Sequence, residues 1–196
     1  KHSYEVIGIN FTEDMLAIPK QYKADNQIKN VAFESADLDS VPFEDNCFYL
    51  VSCRFAFHHF LRPEKAISEM TRVLKHGGKL VLSDITSSED ITKREHQNKM
   101  ERIRDTSHVK HYRPSEIVQM LNDLGFDILH FEDWPADFVF DEWISMSDPG
   151  VESAKRVKKM MIDAMNNDLA DLDIRLNDAG DLWFTYNTKI IIASKG

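Results

Sequence analysis

The chain has 196 residues, 42% of them hydrophobic and 29% charged, with a formal net charge of −9. That length suits one globular domain burying roughly 70% of its unfolded surface, and leaves no room for a second catalytic domain. The acidic balance argues against a nucleic-acid surface, which needs clustered Lys and Arg, and no apolar run approaches the roughly 20 residues of a membrane span. The expectation is a soluble, cytoplasmic protein without a membrane span or nucleic-acid partner.

In chain order, residues 5–10 predict a strand. A helix follows with Thr12 at its N-cap and acids in its first turn, and Pro19 predicts a kink or early break. Short strands are expected at 31–36 and 48–55, the second covered on both faces because of its continuous apolar run. Cys47 and Cys53 fall at opposite ends of that strand, too far apart to bridge. Pro63 opens an amphipathic helix bearing Ala66, Ile67, Met70, Val73 and Leu74, which the pair Gly77-Gly78 is expected to end.

A buried strand over 79–83 comes next. Residues 87–113 are polar with few apolar anchors, the composition of a lid or insertion. Ser115 is expected to cap a helix that Gly125 stops, and 128–131 reads as a strand. A Met-rich helix over about 151–165 precedes two extended runs, 173–176 and 182–193. They are joined by Asn177, Asp178, Ala179 and Gly180, residue types of a hairpin turn. The strand–helix alternation predicts an α/β sheet with helices on its faces, in which ligands bind outside the carboxyl ends of the strands.

Two stretches carry a resemblance. One runs from Phe43 through Cys53-Arg54-Phe55-Ala56-Phe57-His58-His59-Phe60. The other is Arg72-Val73-Leu74-Lys75-His76-Gly77-Gly78-Lys79-Leu80-Val81-Leu82-Ser83-Asp84. Together they resemble the middle of a class I S-adenosylmethionine-dependent methyltransferase of the ubiquinone/menaquinone C-methyltransferase-like group. Arg104-Asp105-Thr106-Ser107-His108-Val109 resembles the YcgJ-type branch of that group.

The resemblance implies a single Rossmann-like domain over 1–196 with an antiparallel C-terminal hairpin. The group's first strand and its Gly-rich motif are not found, so the expectation is an N-terminally incomplete domain that binds its cofactor weakly or not at all on its own. The implied cofactor is S-adenosylmethionine, and the implied partner is a small, partly apolar acceptor. A fold-retaining but catalytically silent binding protein is the alternative; oligomeric state is left open.

The resemblance also implies roles. Asn10 stands where the group has an acid for the cofactor ribose, and an ordinary turn Asn is the other reading. Phe11 adjoins it; Met15 resembles the residue packed on adenine or is plain core. Asp37, with Leu38, resembles the carboxylate that accepts from the adenine amino group, or is a turn residue. Arg54 and Phe55 would approach the methionine part. His58 or His59 would face the acceptor, a structural histidine hydrogen-bonded beneath the lid being the other reading for either. His59 and His108 would be proton acceptors, and Arg104 and Asp105 would face the substrate from the lid or form, with His108, a solvated ion-pair set. Adjacent His58 and His59 lack metal-ligand spacing, so no metal is expected.

Overall fold

The computed structural model describes residues 5–196. Parallel strands β1 (Val6–Asn10) and β2 (Val31–Ser35) flank helix α1 (Glu13–Asp25) and form a two-stranded sheet. A four-stranded sheet is built from β3 (Phe48–Arg54), β4 (Leu74–Ile85), β5 (Phe126–Asp133) and a C-terminal strand, Thr188–Lys195. That last strand lies between β4 and β5, antiparallel to both. Helices α2 (Pro63–Val73) and α4 (Pro114–Asp123) supply Ile67, Met70, Ile117 and Leu121 to a core shared with Leu80 and Leu82 of β4.

A second core belongs to the intervening elements. Helix α3 (Ile91–Arg104), β6 (Ala136–Val139), α5 (Phe140–Ser145), α6 (Val151–Asn167), β7 (Asp173–Leu176) and β8 (Leu182–Tyr186) enclose Met100, Trp143, Met161, Phe184 and Tyr186. Strands β6, β8 and β7 form a separate antiparallel sheet. The C-terminal strand of the main sheet is β9. Among the described residues no helix is long and apolar enough to cross a membrane.

Several expectations change. Pro19 lies inside α1, which continues unbroken to Asp25. The ring displaces only the hydrogen bond to the Met15 carbonyl, on a turn whose Met15 is largely exposed. Helix α2 ends at Val73, before the glycine pair, because Leu74 already has extended backbone (φ −81°, ψ 132°). Gly77 and Gly78 instead sit in an irregularity of β4: Phe48 pairs with Leu74 but Leu50 with Lys79, so β4 carries extra chain there. Gly77 has φ +70°, and a Cβ on Gly78 would come within 2.7 Å of the Lys75 carbonyl.

Strand β3 is not covered on both faces; Tyr49 and Leu50 are exposed and only Cys53 is buried. It pairs with β4 alone, so one long edge has no strand partner among the described residues. The hairpin forms between β7 and β8, with Asn177 Oδ1 accepting from the Ala179 and Asp181 amides. The run 182–193 is not one strand: it divides at Asn187, β8 joining one sheet and β9 another.

The N-cap of α4 is Arg113, not Ser115. Glu116 accepts from the Arg113 amide (3.0 Å) and from Lys110 Nζ (2.9 Å). Burial pushes the Glu116 carboxyl upward, but these hydrogen bonds and the Arg113 guanidinium outweigh it and hold the group at about 2. The folded value lies below the unfolded one, so this stabilisation is complete above about pH 4.3 and lost as the pH falls toward 2. Glu116→Gln is therefore expected to cost about 1–2 kcal/mol at pH 7, discounted for partial exposure, and to flatten the fall in stability between pH 5 and 2. Thermal unfolding across that range checks it.

Candidate active site

Strand ends build the site. The Asn10 carbonyl accepts from the Ala36 amide (3.0 Å) and the Phe11 carbonyl from Ser35 Oγ (3.1 Å), which holds the ends of β1 and β2 side by side. Between the edges of β1 and β3 lies a cavity of about 830 Å³ whose lining includes Ile9, Asn10, Leu38, Leu50, Arg54 and Phe60. Asn10, Leu38 and Arg54 are thus brought together.

Phe11, Met15, Asp37 and Phe55 do not line this cavity. Phe11 and Met15 are exposed at 71% and 65%, Asp37 accepts from the Asp39 amide (2.9 Å), and Asn10 Oδ1 accepts from the Thr12 amide (3.2 Å). Phe55 is a non-glycine residue with φ +48°. Its amide donates to the Ser83 carbonyl, and the Arg54 guanidinium sits 4.8 Å from its ring centroid. Strain of this kind concentrates at functional sites, where surrounding contacts hold it in place.

Beyond Phe55 the chain makes a 3-10 turn, Phe57–His59, and the buried carboxylate of Asp84 organises it. Asp84 Oδ2 accepts from the Phe57 amide (2.7 Å) and the His58 amide (3.3 Å). Its Oδ1 accepts from His58 Nδ1 (2.7 Å) and the Ile85 amide (2.7 Å). A carboxylate at the carboxyl end of β4 therefore fixes the orientation of His58. Burial, with Asp84 nearby, pushes the Cys53 thiol up to about 12, so this cysteine is an unreactive core group.

Residues 87–113 fold onto the same place, around α3, and bury polar groups. Asn98 Oδ1 accepts from the His111 amide (2.7 Å) and from His108 Nε2 (3.0 Å). Glu101 is buried and receives hydrogen bonds from the Tyr186 hydroxyl and Arg104 Nε; desolvation raises its carboxyl above the usual range. The ring centroids of His58 and His111 are 5.2 Å apart, those of His108 and His111 4.6 Å.

The candidate residues thus divide. His59 Nδ1 is 3.0 Å from the Ser107 carbonyl, which can only accept, so this nitrogen carries the proton and Nε2 has a free lone pair. His108 is only 5% exposed. Burial, and then the neighbouring His58 and His59, lower it to about 3, and its Nε2 is committed to Asn98. Arg104 does not project from a lid; it bonds Glu101 and the Trp143 carbonyl and lies 4.5 Å from the Trp143 ring centroid. Asp105 binds the Ser107 amide and hydroxyl (2.8 and 2.6 Å). Asp84, Asn98, Glu101, His111 and Tyr186 were not anticipated. The His108-x-x-His111 spacing was the one available signal for two of these rings.

A methyltransferase-domain family model matches residues 1–82. YcgJ of Bacillus subtilis (strain 168), called an uncharacterized methyltransferase, is 30% identical over 176 residues, 90% of this chain and 70% of that protein. The chain belongs to the class I S-adenosylmethionine-dependent methyltransferases. This methyltransferase is also 42% identical to the demethylmenaquinone methyltransferase of Thermus thermophilus, over 78 residues that make up 40% of the chain and 35% of that enzyme. A Bacillus halodurans C-125 protein described as a methyltransferase superposes with a TM-score of 0.88 at 27% identity, covering 97% of this chain and 83% of that one. The six strands of the two-stranded and four-stranded sheets, in the order β2-β1 and β3-β4-β9-β5, are the Rossmann-like architecture of these methyltransferases.

Proposed function

We propose that this methyltransferase transfers the methyl group of S-adenosylmethionine to a small, partly apolar acceptor, and that residues 87–113 cover the acceptor side. The observation that carries the reading is a cavity that runs along the facing edges of β1 and β3 and reaches Asn10 and Arg54 at their carboxyl ends, with His59 five residues beyond Arg54. The donor set fits the adenosine part of the cofactor. Asp37, two residues past the partner of Asn10 in the β1–β2 ladder, offers a carboxylate to an amino group. The Asn10 amide suits ribose hydroxyls, and exposed Phe11 and Met15 offer apolar surface to a base.

Bound S-adenosylmethionine supplies a methyl group already activated by its sulfonium. The chain's residues then have to align, exclude water and accept a proton. Leu38, Leu50 and Phe60 give the cavity an apolar wall. Of the two histidines expected to act as bases, His59 suits the role: its Nδ1–H is held by Ser107, leaving Nε2 to take a proton. His108, buried and lowered to about 3, is too weak a base near pH 7.

Asn10 has one acceptor oxygen, already shared with the Thr12 amide. Asn10→Asp adds a second and a charge, and charge-assisted hydrogen bonds are roughly twice as strong. The variant is expected to bind S-adenosylmethionine about 5–10-fold more tightly, in line with one added hydrogen bond to a charged group, as read by calorimetric titration. Unchanged or weaker binding would remove Asn10 from the ribose site.

A further inference from the structure

We propose that His58, His108 and His111 form a binding site for a first-row divalent transition-metal ion, zinc being the natural probe. One ring nitrogen from each of the three lies within 4.8 Å of the others. They come from two separate segments, the turn after β3 and the segment after α3. A tetrahedral zinc with Zn–N near 2.0 Å needs N···N distances of about 3.3 Å, so binding requires the rings to draw together. Three neutral imidazoles with a fourth position left over suit zinc and its first-row neighbours.

The hydrogen bonds around the rings fix which nitrogens have lone pairs to offer. Asp84 Oδ1 can only accept, so His58 Nδ1 carries its proton and Nε2 is bare. Asn98 Oδ1 is identified as the oxygen by the His111 amide that donates to it, so His108 Nε2 carries the proton and Nδ1 is bare. Metal-bound histidines ordinarily have this arrangement, the second nitrogen donating to a carboxylate or carbonyl that orients the ring. His111 completes the set: its side chain is buried, and Nδ1 has no hydrogen-bond partner. An unpaired polar nitrogen in a buried site is destabilising, a cost that a metal bond would remove.

Spacing in sequence argued against a metal because adjacent His58 and His59 cannot both ligate and no third ligand was visible. The fold changes the premise by bringing His108 and His111 against His58. The proposal stands independently of methyl transfer, and its test uses no methyl donor. The whole protein, stripped with chelator, is titrated with zinc against a chromophoric indicator, and with cobalt(II) followed by its visible absorption.

One zinc per chain is expected, with the intense visible bands of tetrahedral cobalt. His108→Ala and His111→Ala should each weaken zinc binding by about 100-fold or more. Asn98→Ala, which removes only the positioning bond to His108, should weaken it by about 10–100-fold. His130→Ala, at an exposed ion pair with Glu132, should change nothing. The cobalt spectrum of the unaltered protein needs no variant to fold. Absence of stoichiometric zinc, a weak octahedral cobalt spectrum, or zinc binding that survives in His111→Ala would each overturn the proposal.

Discussion

Replacing Asp84 by alanine is expected to destabilise the protein by about 3–5 kcal/mol, the cost of breaking a buried charged network from one side. The carboxylate accepts from three backbone amides and from His58 Nδ1, and its side chain is 4% exposed. Alanine would leave the Phe57 amide buried without an acceptor and the His58 ring without its orienting partner. For a chain of this size each kcal/mol lowers Tm by about 2–4 °C, so a fall of about 6–20 °C should appear in scanning calorimetry. Asp84→Asn, which keeps one acceptor oxygen and the shape, should fall between. A loss below about 1 kcal/mol in Asp84→Ala would mean that the turn after β3 is held by packing alone.

His59→Ala is expected to reduce kcat by about 10²–10⁴, the range for a positioned general base, while changing cofactor affinity less than about 3-fold, since a group that acts on the acceptor contributes little to cofactor binding. The reason is placement. His59 is held through Nδ1 by the Ser107 carbonyl, and it neighbours His58 at a ring-centroid distance of 4.1 Å. Release of S-adenosylhomocysteine during turnover gives kcat, and calorimetric titration gives affinity. Equal losses in both would make His59 a structural residue of the 3-10 turn.

The alternation of strands and helices was legible because each element carries its own periodicity and local stop signals. Pro63 at the start of α2 and the Asn177 turn between β7 and β8 are short-range features, and both are found where the residues predict them. What escaped was decided at longer range. Nothing local distinguishes Leu182–Tyr186 from Thr188–Lys195 as members of different sheets. The switch depends on contacts of Asn187 and Thr188 with Thr86 and Trp134, far away in sequence. The extra chain at Gly77 and Gly78 was legible as a break but not as a break inside a strand.

The grouping of strand ends around the cavity was more legible than the histidine cluster for the same reason. Asn10 and Arg54 lie at strand ends, which a parallel sheet brings to one edge. In the polar segment 87–113, Gln97, Asn98 and Glu101 are hydrophilic, and all three are buried. Asn98 and Glu101 find partners 10 and 85 residues away, His108 and Tyr186, and Gln97 accepts from the Ser88 amide. A buried polar network of that kind leaves no periodic signature in the sequence.

The most direct measurement is a calorimetric titration of S-adenosylhomocysteine into the unaltered protein and into Asp37→Ala. The account predicts weak but saturable binding with one site per chain. Loss of the Asp37 carboxylate, the proposed acceptor for the adenine amino group, should weaken that binding by about 10-fold or more, in line with a hydrogen bond to a charged group. No saturable binding, or equal affinity in the two proteins, would contradict the placement of the cofactor at the ends of β1, β2 and β3.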